Sequence, residues 1–147
     1  MQAVEGGRMQ NAKGVFEFNR WEESSFSENE GAPKLTQARV SNDFHGDIRG
    51  SSDLVYVMTY LTEETGTFVG YEQVTGTLAD RDGSFVLRHD GTFGDGSVRS
   101  ALNVVTGSGT GALAGLSGEG EYIATHGQKQ SPYSLRWRID GKGATDS

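Results

Sequence analysis

The chain has 147 residues, with 20 acidic against 13 basic side chains, a net charge of -7 and no cysteine. That charge repels a phosphate backbone and offers no counterion release, which argues against nucleic acid and anionic membranes as partners; the missing thiols exclude disulfides and thiolate chemistry, so packing alone must hold the fold. Hydrophobic residues at 34% and aromatics at 10% suffice for a single core, and no run approaches the ~20 apolar residues of a transmembrane helix.

Residues 1–11 are polar or glycine-bearing and carry no apolar stretch of the secretory type, so they read as a flexible tail, with the cytoplasm as the expected address. One β domain is expected over 12–140, followed by a second flexible tail at 141–147. Glycine supplies the punctuation with 22 residues, whereas proline occurs only at Pro33 and Pro132, so turns rest on positive-φ chemistry. Between these breaks, β-type runs predict strands at 12–22, 35–44, 54–61, 67–78, 85–93, 98–105, 121–125 and 133–139. Segment 22–31 carries Glu22, Glu23, Glu28 and Glu30 among serines and reads as a solvated loop, with room for a short edge strand near Phe26. No window keeps an apolar period of 3.6 over ten residues, and 111–116 supplies one helical turn at most. Eight closely spaced strands without crossover helices predict an all-β antiparallel meander closed into a barrel, whose lumen either is filled by side chains or holds one small ligand.

Alternation puts Phe68, Gly70, Glu72, Val74, Gly76 and Leu78 on one face of the fourth strand, and Phe85, Leu87, His89, Gly91 and Phe93 on one face of the fifth. Each row holds one titratable residue. A two-residue turn at Asp82-Gly83, or a four-residue loop over 79–82, makes the rows share a face; a three-residue loop with Gly83 as a bulge puts them on opposite faces. The shared face is preferred because both rows are the more apolar ones. It makes Glu72 and His89 neighbours in a dry lumen, able to act as acid and base or to orient a ligand, against the alternative of a buried pair that merely satisfies itself. Tyr56 and Tyr60, Phe68 and Phe85, and Trp21 and Trp137 are the candidate cavity-shaping aromatics, although a tryptophan in a small β domain is more often core. The third strand is apolar on both faces, through Tyr56, Met58 and Tyr60 and through Val55 and Val57, which suggests a homo-oligomeric contact, a dimer first, or cover from segment 22–31.

Other constellations fail. His45, His89 and His126 lack the paired spacing of a metal site, so no metal is expected. Gly107 to Gly111 is not followed by the Lys-Ser/Thr of a phosphate loop, and Ser117 sits one residue short of nucleophile-elbow spacing.

The run Phe68-Val69-Gly70-Tyr71-Glu72-Gln73-Val74-Thr75-Gly76-Thr77-Leu78, followed by Gly83-Ser84-Phe85-Val86-Leu87, His89 and Gly91, resembles a bacterial family of unknown function in the allene oxide cyclase-like barrel superfamily. Gly14, Phe16, Trp21, Lys34-Leu35-Thr36, Phe44, Gly46-Asp47, and Gly107 to Gly111 with Leu113, Gly115 and Gly118 extend the likeness over 12–140. The glycine-rich stretch 107–120 is also similar to a segment of plant allene oxide cyclases and dirigent proteins. Leu102 and Thr106 depart from the pattern, which has an aromatic and a proline there. The resemblance implies an eight-stranded barrel, often oligomeric, in a superfamily that includes cofactor-independent cyclases. The resulting expectation is a barrel that binds a hydrophobic small molecule, acting as a cofactor-free isomerase or cyclase with Glu72 and His89 moving a proton; the alternatives are a carrier or sensor, or a structural oligomer with a filled lumen.

Overall fold

The computed structural model describes residues 8–140. They form eight strands, β1 (Gln10–Ser27), β2 (Lys34–Gly46), β3 (Ile48–Tyr60), β4 (Gly66–Leu78), β5 (Arg81–Gly94), β6 (Ser97–Val104), β7 (Leu116–Thr125) and β8 (Ser131–Ile139), with one 3-10 turn at Gly111–Leu113. Every strand pairs antiparallel with its sequence neighbour, and β8 returns to β1 to close the barrel. The all-β closed meander read from the sequence is therefore the fold, and closure pairs every strand on both sides over part of its length, with β1 beyond Phe16 paired to β2 alone. The predicted tails lie mostly outside the described residues, but Gln10 and Asn11 already pair with Trp137 and Arg136, so the first strand begins inside the expected tail.

The turn between β4 and β5 is Ala79-Asp80, both at positive φ (49° and 67°), with Leu78 opposite Arg81. Positive φ at both central residues matches the right-handed strand twist. The turn falls within 79–82 but uses two residues instead of four, and lies ahead of Asp82-Gly83; its register gives the expected shared face, with Glu72 opposite Leu87 and Gly70 opposite His89.

Of segment 22–31, expected as a loop with room for a short edge strand near Phe26, only 28–31 is loop. β1 continues to Ser27, pairing Glu22 with Arg39, Glu23 with Ala38 and Ser25 with Thr36. A register shift between Phe18 and Arg20 inserts Asn19 as a bulge. Phe16 and Phe18 lie opposite the inward Phe44 and Asn42, whereas beyond the bulge Trp21 and Glu23 lie opposite the inward Val40 and Ala38. The extra residue thus switches the inward-facing parity of β1 from even to odd. Nor does this segment cover the outside of β3: Val57 is 40% exposed and Tyr71, beside Val55 on β4, is 55% exposed.

The interior is layered. At one end the turns at 47 and 79–80 and the long connection 105–115 close a floor packed with Ile48, Val74, Leu78, Phe85, Leu87, Leu113, Leu135 and Trp137. Thr110 ties that connection to β5, its N–H donating to the Ser84 carbonyl at 2.9 Å while its Oγ1 accepts from the Ser84 N–H at 3.0 Å. Thr110→Val is expected to cost about 1 kcal/mol in chemical denaturation by removing that acceptor. Toward the other end a second cluster, Ala38, Val40, Leu54, Tyr56, Met58 and Phe68, lines the wall beneath the loops at 28–33, 61–65, 95–96 and 126–130. Among the described residues no helix is long and apolar enough to cross a membrane.

Candidate functional site

Between the two apolar layers lies a band of polar side chains, each supplied by an inward strand position. Along β2 it is Asn42, between Val40 and Phe44; along β3, Ser52 and Tyr56; along β4, Glu72; along β5, His89; along β7, Tyr122. Glu72 (1% exposed) and His89 (2% exposed) sit diagonally across the β4–β5 pair, and His89 Nε2 lies 2.7 Å from Glu72 Oε1. The other carboxylate oxygen accepts from Asn42 Nδ2 at 2.9 Å and from the Ser52 hydroxyl. On the far side of the imidazole, Tyr56 Oη is 3.3 Å from His89 Nδ1 and 2.7 Å from Tyr122 Oη. Gly70 makes this contact feasible. It lies between Tyr56 and His89 on neighbouring strands, and a Cβ there would stand 2.8 Å from Tyr56 Cδ1.

Electrostatics follows from the donors. Burial alone would raise the Glu72 pKa, but the hydrogen bond and charge of His89, with the donors of Ser52 and Asn42, outweigh it and hold the carboxyl below its ordinary value. Burial, then the neighbouring Tyr122 and Glu72, push the Tyr56 phenol well above its ordinary value, and burial raises Tyr122 as well. Both phenols therefore keep their protons at neutral pH. An ionised Glu72 can only accept, so Nε2 carries a hydrogen toward it. With Nδ1 unprotonated, Tyr122 donates to Tyr56 and Tyr56 to His89; with Nδ1 protonated, the hydroxyl chain runs the other way. A proton can thus pass between Tyr122 and the imidazole while Glu72 balances the charge.

Above this band the barrel opens into a cavity of about 750 Å³. Its walls include Phe16, Trp21, Val40, Met58, Tyr60, Phe68 and Phe93, with Tyr56, Tyr122 and Asn42 also exposed to it. At the mouth, Glu23 accepts from Trp21 Nε1 at 3.2 Å, from Thr36 Oγ1 at 2.8 Å and from the Tyr60 hydroxyl. Burial, followed by the bond to Glu23, raises the Tyr60 phenol to about 12.

Of the residues singled out from the sequence, Trp21, Tyr56, Tyr60 and Phe68 line this cavity. Phe85 and Trp137, expected beside them, are instead sealed into the floor, because their strands turn those positions toward the end plugged by the 105–115 connection. Glu72 and His89 meet as expected but stand behind Tyr56, Tyr122 and Asn42 and are not part of the cavity lining. Asn42, Ser52 and Tyr122 were not anticipated, although alternation alone places a polar side chain in an otherwise apolar inward row at 42 and at 52. Among the described residues no three His, Asp or Glu side chains converge as a metal set.

Residues 12–137 match the family described as "Protein of unknown function (DUF3224)". A crystal structure of a protein with unknown function from the DUF3224 family of Shewanella oneidensis MR-1 is similar, at 27% identity with a TM-score of 0.77, covering 91% of this chain and 99% of that one. No curated protein matches the chain.

Proposed function

The chain belongs to the DUF3224 family of proteins of unknown function, and from that premise we propose that its barrel binds a hydrophobic small molecule in the chamber above the floor. One observation carries the reading. A lumen of about 750 Å³ with mostly apolar walls ends on a few convergent polar groups, the combination and size usual for metabolite sites and larger than packing defects leave in a filled core. Native mass spectrometry of protein purified from its own host is expected to show a bound small molecule that denaturation releases. Ala124, half-buried in the cavity wall, offers the control. Ala124→Trp should obstruct the chamber, lower ligand retention at least ~10-fold and leave the melting temperature close to wild type. Retention by that variant equal to wild type would place the ligand elsewhere.

A second reading, a cofactor-independent isomerase or cyclase, is supported by the continuous chain from Tyr122 through Tyr56 and His89 to Glu72, and by the resemblance of 107–120 to allene oxide cyclases. In that reading the wall holds a reactive molecule in one conformation, and the Tyr122 hydroxyl, backed by His89 and Glu72, delivers or accepts the proton. Tyr122→Phe and Glu72→Gln are then expected to slow turnover by roughly 10²-fold or more while binding survives. Turnover unchanged in both would reduce the site to a carrier.

A further inference from the structure

Asn42 presents a feature that the proton chain leaves unused. Its Nδ2 faces an oxygen of ionised Glu72 at 2.9 Å, and turning the amide over would set oxygen against oxygen, so the amide orientation is fixed by its partner. The carbonyl oxygen Oδ1 therefore points away from Glu72, is buried, and receives a hydrogen bond from no donor among the described residues. Asn42 is also part of the wall of the cavity, at the level where the apolar chamber gives way to the polar band. A buried acceptor without a donor is costly, and a partner that brings one is correspondingly favoured.

Resting on the reading that the chamber holds a ligand, we infer that this ligand carries a neutral hydroxyl donor, an alcohol or phenol on an apolar skeleton, which it gives to Asn42 Oδ1 once a small turn of the side chain brings that buried oxygen to the cavity surface. A hydroxyl also has lone pairs, so it can accept a hydrogen bond from the Tyr56–Tyr122 chain when that chain points its hydrogen into the cavity. A carboxylate fails on both counts: it brings no proton for Oδ1, and its charge would lie close to ionised Glu72 in an apolar surround. Among the described residues the one lysine or arginine in the lining, Lys129, is 83% exposed at the mouth and cannot offset that charge at depth. An ammonium is disfavoured for a different reason. At the level of Asn42, Glu72 already takes donors from His89, Ser52 and Asn42, and the other carboxylates of the lining, Glu17, Glu23 and Glu64, stand toward the mouth, so a cation buried beside Asn42 would be stripped of water with no carboxylate next to it.

The test is a matched series, 4-hydroxybiphenyl, 4-methoxybiphenyl, biphenyl-4-carboxylate and 4-phenylbenzylamine, titrated calorimetrically into the full chain, into Ala124→Trp and into Asn42→Leu. The expected result is that the phenol binds wild type at least about 10-fold more tightly than the other three, that Ala124→Trp loses it, and that Asn42→Leu binds phenol and ether alike. Should Asn42→Leu fail to fold, the wild-type preference together with its loss in Ala124→Trp carries the same decision. Equal affinity for phenol and ether in wild type, or tighter binding of the acid or the amine, overturns the hydroxyl assignment while leaving a ligand-binding chamber. Absence of binding by all four overturns both.

Discussion

Replacing His89 with alanine is expected to destabilise the barrel by about 3–5 kcal/mol at neutral pH, a drop of roughly 10 °C or more in melting temperature. The loss arises from what stays behind. Glu72 is 1% exposed, and without the imidazole it keeps only Ser52 and Asn42 as donors in a low-dielectric interior. A carboxylate so placed must either remain charged at a cost or protonate, and both routes erode the folded state. In a Glu72→Gln background no charge remains to be stranded, so adding His89→Ala should cost markedly less than it does in wild type. Equal cost in the two backgrounds, read from urea transitions with unchanged slope, would show that lost packing and not the stranded buried charge is responsible.

The same pair sets an acid limb. Because Glu72 is held below its ordinary 4.5 in the folded protein, the stability it contributes is complete above that unfolded value and disappears as the pH falls through the folded one. The stability gap between wild type and Glu72→Gln should therefore close as the pH falls below about 5. A gap that widened on acidification would mean that burial, not the donors around the carboxylate, governs its titration.

Residue alternation made the interior of β4 and β5 legible, and with it the meeting of Glu72 and His89, because both rows bury one face and a two-residue period leaves little choice. The turn between them was harder. Asp82-Gly83 carries the stronger hairpin signal, yet the chain turns at Ala79-Asp80, where non-glycine residues adopt positive φ. Gly83 serves another purpose: a Cβ there would stand 2.1 Å from the carbonyl oxygen of Thr110, so the glycine admits the connection that crosses β5 and seals the floor. That contact joins residues far apart in sequence, and no local pattern reveals it. The same limit hid the division of the lumen. Phe85 and Trp137 look as suited to a cavity wall as Phe68 and Trp21, and only the position of the plug decides which pair faces open space.

β1 illustrates a different obstacle. Glutamates and serines from 22 to 27 have weak strand preference, and the sequence offers no sign of the bulge at Asn19. Without that extra residue, Arg20 and Glu22 would take the inward positions, and Trp21 and Glu23 would leave the mouth. The acidic run is a strand because β2 pairs with it and because Thr36, Tyr60 and Trp21 satisfy Glu23. Asn42 and Ser52 were missed for no such reason, since alternation alone exposes them: each interrupts an apolar inward row, and a polar residue in such a row needs a partner.

Gly76→Ala is expected to cost about 2–5 kcal/mol or to prevent folding, and to remove ligand response only as far as it removes the fold. Gly50 on β3 and Gly76 on β4 face each other near the floor, both at φ +152°, and a Cβ on Gly76 would lie 2.0 Å from the carbonyl oxygen of Arg49. That oxygen belongs to the sheet backbone and cannot retreat as the end of a flexible side chain would. Gly31 provides the comparison: at φ +82° a Cβ there meets nothing within 4 Å, so Gly31→Ala carries only the strain of the left-handed region, about 1–2 kcal/mol. If both alanine variants melted together, backbone conformation alone would account for Gly76 and the close strand approach would be irrelevant. A larger loss at Gly76 identifies the β3–β4 crossing as the point where the barrel is drawn tight beneath Ile48, Val74 and Leu78, leaving the chamber above free to vary. Ala124→Trp should then show the converse separation, with the chamber lost and the fold retained.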